Sequence, residues 1–217
     1  GLNINIGTLN KNTIPSMFLA GKKANELGHI VLLDPVGAGA SRLRTDTANR
    51  LMQEVRFDAV RGNISEIKTL CTGSGSTKGV DADAVDAVTE ANLDDGVQLV
   101  KTFAQRAGCI VAVTGAIDLV SDGERCWCIR NGRAEMSRIT GTGCQLSALM
   151  TAFLVANPDH KLAAAAAAVC MMGLAGEIGW ANMQPGDGNS TYRNRIIDAI
   201  FNMTGDALEK GAKYELR

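Results

Sequence analysis

The stretch Ile139-Thr140-Gly141-Thr142-Gly143-Cys144-Gln145-Leu146-Ser147 places two glycines one residue apart at the head of an apolar helical pattern. Backbone amides of residues 141 to 144 can then converge on one spot, with the helix dipole behind them. That is an anion hole. It suits phosphoryl transfer, where catalysis rests on positioning and on stabilising charge. The plainer alternative is a Gly-rich N-cap beside a buried cysteine. Gly141, Thr142, Gly143 and Cys144 are the candidate catalytic residues. At the mouth of the hole, Cys144 is placed to take a proton from an attacking hydroxyl. An unperturbed thiol is only about 3% thiolate at neutral pH, so the base is weak, and a helix N-terminus pushes it toward the thiolate. Covalent catalysis is open in principle, but His29 and His160 are on distant segments.

Arg61-Gly62-Asn63-Ile64-Ser65-Glu66 follows a short apolar run. A guanidinium at a strand end can grip phosphate with two hydrogen bonds. Asn63 and Glu66 can reach a metal or its waters, or the segment merely caps a helix. Thr114-Gly115 ends another apolar run and by itself reads as a strand-to-loop turn. Two apparent nucleotide motifs fail. Asp34-Pro35-Val36-Gly37-Ala38-Gly39 lacks the third glycine of a dinucleotide fingerprint, which is Arg42 here. Gly73-Ser74-Gly75-Ser76-Thr77-Lys78-Gly79 lacks the Gly-Lys-Ser/Thr ending of a phosphate loop and reads as a surface loop.

The elements that would carry these residues alternate. Leu2–Ile6, Ile30–Leu33, Asp58–Arg61 and Cys109–Thr114 read as strands, and the continuous apolar runs Ile30–Leu33 and Cys109–Thr114 predict a parallel sheet buried on both faces. Helices are expected over 14–27 (Thr13 as N-cap; Met17, Ala20, Ala24 and Leu27 on one face), over 45–55, from Ser65 and Glu66 onward, and over most of 81–107. A hairpin turns at Asp122-Gly123. Residues 134–139 read as a further strand. Helices follow over 145–156, 162–182 (with six consecutive Ala) and from about Thr191 toward Lys213. The pattern predicts one domain over residues 1–217: an α/β fold, a three-layer αβα sandwich with a mostly parallel central sheet. Ligands of such sheets bind beyond the carboxyl ends of the strands, where the polar and Gly-rich segments fall.

Composition narrows the function. Apolar residues make up 46% and charged residues 21%, which excludes a disordered chain. The net charge of -1, without a basic block, argues against a general nucleic-acid or membrane-surface binder. The six cysteines form no CxxC pair, so a zinc site is not expected and reduced, buried thiols are. The chain opens at Gly1 on a strand pattern with no basic leader, and its longest charge-free run, from Leu162 to Gly176, reads as too short to cross a bilayer. The expectation is a soluble cytoplasmic protein. Against 4 Pro and 9 aromatics (5 Phe, 2 Trp, 2 Tyr), the 24 Gly predict many positions of close backbone approach.

Taken together, Asn5-Ile6-Gly7-Thr8-Leu9, Leu33-Asp34-Pro35-Val36-Gly37-Ala38-Gly39, Arg61-Gly62-Asn63-Ile64-Ser65-Glu66-Ile67, Lys78-Gly79-Val80-Asp81, Val113-Thr114-Gly115 and Gly141-Thr142-Gly143-Cys144 resemble hydroxyethylthiazole kinase in order and spacing. The resemblance spans nearly the whole chain. Cysteine after the Gly-x-Gly distinguishes it from ribokinase-like relatives, which carry Asp there. The resemblance implies a ribokinase-like fold and ATP-dependent phosphorylation of the hydroxyl of 4-methyl-5-(2-hydroxyethyl)thiazole in thiamine salvage. It implies that Asp34 and Glu66 hold Mg2+, mostly through water. Arg61 and Thr114 match ATP-binding positions, and Asn63 falls in the same motif. Gly141, Gly7 and Thr8 match the thiazole pocket, and a homotrimer is implied with that pocket between subunits. The family also carries residues ahead of the Leu2–Ile6 strand, with a first strand and helix and a Met and an Asn of the pocket, so the chain reads as N-terminally truncated. Ala116 stands where family members often have Glu, and Gly186-Asp187-Gly188-Asn189-Ser190 blurs a late Gly-x-Gly-Ser-Phe pattern. The alternatives are another ribokinase-like small-molecule kinase, a nicotinamide-nucleotide hydrate dehydratase, or an inactive truncated chain.

Overall fold

A computed structural model describes residues 1–72 and 87–217. Seven strands form one sheet in chain order: β1 (Leu2–Asn5), β2 (Val31–Asp34), β3 (Ala59–Asn63), β4 (Ile110–Thr114), β5 (Asp118–Ser121), β6 (Cys126–Ile129) and β7 (Tyr214–Leu216). The first four run parallel and the last three pair antiparallel. Parallel neighbours need crossovers, which are supplied by α1 (Thr13–Glu26), α2 (Arg42–Glu54), α3 (Ile64–Thr72) and α4 (Leu93–Ala107). The other face carries α5 (Thr142–Ala156), α6 (Lys161–Ala181) and α7 (Asn189–Asn202), and a short α8 (Gly205–Gly211) precedes β7.

Strand alternation divides the core. Val31 and Leu33 join Ile4, Ile6, Val60, Val111 and Val113 in a cluster with Phe18, Leu51, Ile67, Val100 and Phe103 of the crossover helices. Leu32, Ala59, Ile110, Ala112 and Val120 face the opposite way, onto Met150, Leu154, Ala165, Ala168 and Val169. These are the two seams of a three-layer αβα sandwich. Helix α4 buries Val97, Val100, Phe103 and Ala104 on one face. The face of α1 is rotated from expectation: Phe18, Gly21 and Ala24 are buried, whereas Leu27 is 57% exposed. Gly21 lies close to Val55 and Ile4, and that close approach rotates the helix away from the Met17–Ala20 side.

Four other expectations are corrected. Thr13 is not an N-cap but the first helical residue, and the Asn10 carboxamide oxygen accepts the N–H groups of Asn12 and Thr13 instead. Residues 134–139 are not a strand. Ala134–Arg138 is a 3-10 turn closed by Ser137 Oγ donating to the Ala134 carbonyl at 2.6 Å. The last helix is split, because Thr204 caps a new start at Gly205 and the chain then returns as β7 beside β6. Buried Asn131 directs that return: its Oδ1 accepts the Lys213 N–H at 2.7 Å and its Nδ2 donates to the Gly211 carbonyl at 2.9 Å. The Leu162–Gly176 run belongs to Pro158–Ala181, which is long and apolar enough to cross a membrane by length and composition. Of its most apolar window 72% is buried inside the protein, which makes α6 a core helix here. The Gly73–Gly79 and Lys78–Asp81 segments, and the expected helix before residue 87, lie outside the described residues.

The expected close approach along the Ala- and Gly-rich helix occurs at Gly173, where a Cβ would fall 2.7 Å from the backbone C and O of Asn131. Backbone cannot yield as a flexible side chain can. Gly173→Ala is therefore expected to destabilise the fold by about 1–3 kcal/mol, read as a lower urea midpoint with unchanged slope.

Candidate active site

The polar residues of the carboxyl edge gather by the same alternation that sorts the core. Asn5, Asp34 and Thr114 end their strands, and Arg61 lies two residues before the end of β3; all four are in phase with Leu32, Ala59 and Ala112 and so face the α5 side. After β6 the chain crosses back so that α5 packs over β1 and β2. This brings Cys144 beside Asn5, 139 positions away in sequence.

Asp34 is fully buried. Its Oδ2 accepts from Asn5 Nδ2 at 2.9 Å and from Ser147 Oγ at 2.8 Å. Its Oδ1 has no hydrogen-bond partner; Arg61 Nη1 stands 3.6 Å away, an ion pair rather than a hydrogen bond. Burial pushes the Asp34 carboxyl above the ordinary range, against the opposing pull of Arg61, Ser147 and Asn5. Arg61, with a side chain 11% exposed, donates from Nη2 to Thr114 Oγ1 at 2.6 Å, and its Nε is buried without a partner. Its guanidinium lies against Gly143, where a Cβ would fall 2.6 and 2.7 Å from the two terminal nitrogens.

Helix α5 begins without a side-chain cap, and its N-cap residue Gly141 has φ +95°. The first intrahelical bond is Gln145 N–H to the Gly141 carbonyl at 2.9 Å, so the amides of Thr142, Gly143 and Cys144 precede the i→i−4 ladder. Uncapped amides, a helix dipole and an adjacent guanidinium are an arrangement chemically suited to a polyanion. Cys144 is exposed at its edge, and its Sγ accepts from Asn5 Nδ2 at 3.2 Å.

Glu66 and Asn63 form the reciprocal pair of a capping box at the start of α3. Glu66 Oε2 accepts the Asn63 N–H and Asn63 Oδ1 accepts the Glu66 N–H, both at 2.8 Å. The other Glu66 oxygen accepts the Gly37 N–H at 2.8 Å, which ties α3 to the loop after Asp34. The structure thus places Glu66 next to that loop and engages Asn63 Oδ1 in the cap. Gly7 joins the cluster through its N–H, donated to Asn5 Oδ1 at 2.8 Å, and through its carbonyl, which accepts from Arg44 Nη2 at 3.1 Å. Thr8 is exposed just beyond. His29 and His160 lie in connections at the opposite, amino end of the sheet, away from Cys144. All six cysteines are free.

Three residues of the cluster were not singled out from sequence: Asn5, Ser147 and Asp118. For Asn5 the signal was the alternation Leu2-Asn3-Ile4-Asn5-Ile6, which puts Asn5 on the face opposite Ile4 and Ile6. Ser147 lies one turn after Cys144, on the same side of α5. For Asp118 nothing local pointed to the site. Its Oδ1 accepts the Gly115 N–H at 2.8 Å and pins the turn that follows Thr114.

Burial pushes Asp118 up to about 7, with the Gly115 N–H and Arg61 opposing. A carboxyl raised in the folded state binds its proton there while the unfolded chain has already released it. Its contribution to stability therefore falls as pH rises from about 4 to about 7 and is constant above. Asp118→Asn should remove this component of the slope and, above pH 8, leave the protein at least as stable as the parent. Urea titrations at several pH values measure it.

The model of the "Hydroxyethylthiazole kinase family" matches residues 1–206. A hydroxyethylthiazole kinase of Clostridium acetobutylicum is 54% identical over 215 residues, covering 99% of this chain and 79% of the relative. One from Clostridium beijerinckii is 46% identical over 213 residues, covering 98% and 75%. Among solved structures, a hydroxyethylthiazole kinase protein from Pyrococcus horikoshii OT3 superposes with TM-score 0.84 at 31% identity, covering 99% of this chain and 76% of that one. A pyridoxal kinase from Staphylococcus aureus, at TM-score 0.54 and 16% identity, shares the fold. With a match across this length and this identity, the chain belongs to the hydroxyethylthiazole kinase family.

Proposed function

We propose that this protein transfers the γ-phosphoryl group of ATP to the primary hydroxyl of 4-methyl-5-(2-hydroxyethyl)thiazole, in thiamine salvage. The observation that carries the reading is the pair of unsatisfied buried atoms, Asp34 Oδ1 and Arg61 Nε, beside the uncapped amides of α5. Of the buried polar atoms without partners among the described residues, these two belong to one ion pair at the strand ends, and a bound ligand is one way to complete them. In this reading the hydroxyl oxygen attacks the γ-phosphorus, its proton passes to Cys144 Sγ, and the bond to the β,γ-bridging oxygen breaks, releasing ADP. Arg61 and the amides of residues 142–144 hold the charge that develops on the phosphoryl oxygens. Thr114 fixes Arg61 and shares the nucleotide side, with Asn63 at its margin. Gly7, Thr8 and Gly141 line the alcohol side.

Among the described residues no group of three or more His, Cys, Asp or Glu could hold a metal ion. The donors nevertheless suit Mg2+, which keeps its waters and takes one or two carboxylates plus substrate phosphates. Asp34, with one oxygen unpartnered, and Glu66 would hold it, and the ion would neutralise phosphate charge. The reading also takes residues 1–217 as one kinase domain working in the cytoplasm, where six thiols stay reduced. It further places the protein in a homotrimer that completes the alcohol pocket between subunits. In support, Thr8 is exposed and Gly141 has open space where a side chain would stand.

Incubation with ATP, Mg2+ and the thiazole alcohol should yield ADP and the phosphorylated alcohol, whereas pyrimidine alcohols and pyridoxal should turn over far more slowly. A folded protein without turnover of the thiazole alcohol overturns the reading. Cys144→Ala is expected to lower kcat about 100-fold with little change in KM for ATP. Gly143→Ala should do the reverse, raising KM for ATP about tenfold or more, because the new methyl displaces the Arg61 guanidinium.

A further inference from the structure

We propose that Asn5 is the positioning residue of the site: its carboxamide aims the Cys144 sulfur at the acceptor alcohol and ties it to the Asp34 carboxylate. The inference rests on the reading of Cys144 as the group that receives the hydroxyl proton.

The carboxamide has one orientation. Its Oδ1 accepts the Gly7 N–H at 2.8 Å, so Nδ2 must face Asp34 and Cys144. Both hydrogens on Nδ2 are then used, one on Asp34 Oδ2 at 2.9 Å and one on Cys144 Sγ at 3.2 Å. Two consequences follow. The sulfur is held as an acceptor, with its S–H direction, or its remaining lone pairs once ionised, free toward a bound hydroxyl. The second consequence concerns Asp34. Asn5 and Ser147 together occupy Oδ2, which fixes the carboxylate rotation and leaves Oδ1 toward Arg61 and the phosphate side. One side chain therefore sets the alcohol-side backbone at Gly7, the proton acceptor and the phosphate-side carboxylate in a single geometry.

Aspartate in place of Asn5 would keep the size and the acceptor for Gly7 but turn both donors into an acceptor facing a carboxylate and a sulfur. Alanine removes all three contacts. The test uses the purified protein. Iodoacetamide alkylation of Cys144 near neutral pH is followed by mass spectrometry of its peptide, alongside steady-state kinetics. Asn5→Asp and Asn5→Ala are each expected to change the alkylation rate about fivefold or more, because the sulfur loses the donor that holds it. Ser147→Ala, which removes only the other Asp34 contact, should leave alkylation within about twofold while lowering kcat. Asn5→Ala should cost about 30-fold in kcat in the parent but only about threefold in a Cys144→Ala background, because residues acting as a unit are non-additive. Unchanged alkylation in a folded Asn5→Asp protein overturns the proposal, as does an equal kcat loss in both backgrounds. Alkylation requires no turnover, so it tests the Asn5–Cys144 link even if the thiazole alcohol is not phosphorylated, an outcome that would defeat the kinase reading separately.

Discussion

A carboxylate removed from water requires compensation nearby, and at Asp34 that requirement organises the site. The end of β2 buries a charge that is stable only if donors surround it. Asn5 arrives from the neighbouring parallel strand, Arg61 from the next, and Ser147 from a helix that must cross the whole sheet to reach it. Displacement of any one leaves the others with unmatched partners. The compensation is incomplete at Oδ1, which has no hydrogen-bond partner.

The anion hole follows from the same packing. To bring Ser147 onto Asp34, the first turn of α5 must sit directly above the strand ends. Its unladdered amides then stand beside the Arg61 guanidinium, which lies against Gly143. A side chain at that position would hold the cation away from the amides, so the absence of a Cβ is what lets two kinds of positive charge share one spot. Gly173 performs the corresponding role in the core, where α6 meets the backbone of Asn131. The high glycine content thus reflects a few contacts between bare backbone and a charged or rigid neighbour.

The C-terminal segment shows a different economy. Asn131 and Glu177 take up the backbone of Gly132, Gly211 and Lys213, and in doing so convert the end of the chain into the seventh strand. Tyr192 spends its hydroxyl on the Gly176 carbonyl inside the same layer. Asn131 follows the end of β6 and Lys213 precedes β7, so these contacts lie at the carboxyl edge but on the antiparallel side of the sheet, several strands from Asp34.

From sequence alone, the alternation of apolar strands and helices determined the layers and the parallel sheet, because burial on both faces demands continuous apolar strands. The Gly-x-Gly before α5 and the Arg61–Glu66 stretch were equally legible, since each needs only local backbone chemistry. The rest required three dimensions. A three-residue strand such as β7 has too few residues to display a period, and its pairing is set by Asn131, more than 80 positions away in sequence. The stretch 134–139, read as a strand, is instead a 3-10 turn closed by the local Ser137–Ala134 hydrogen bond, which composition does not reveal. Asn5 looked like an ordinary polar residue on a strand, and Asp118 like part of a hairpin, because what makes them functional is the company they keep. Their partners come from other strands and from a helix folded back across the sheet, and only tertiary packing brings those donors and acceptors within hydrogen-bond distance.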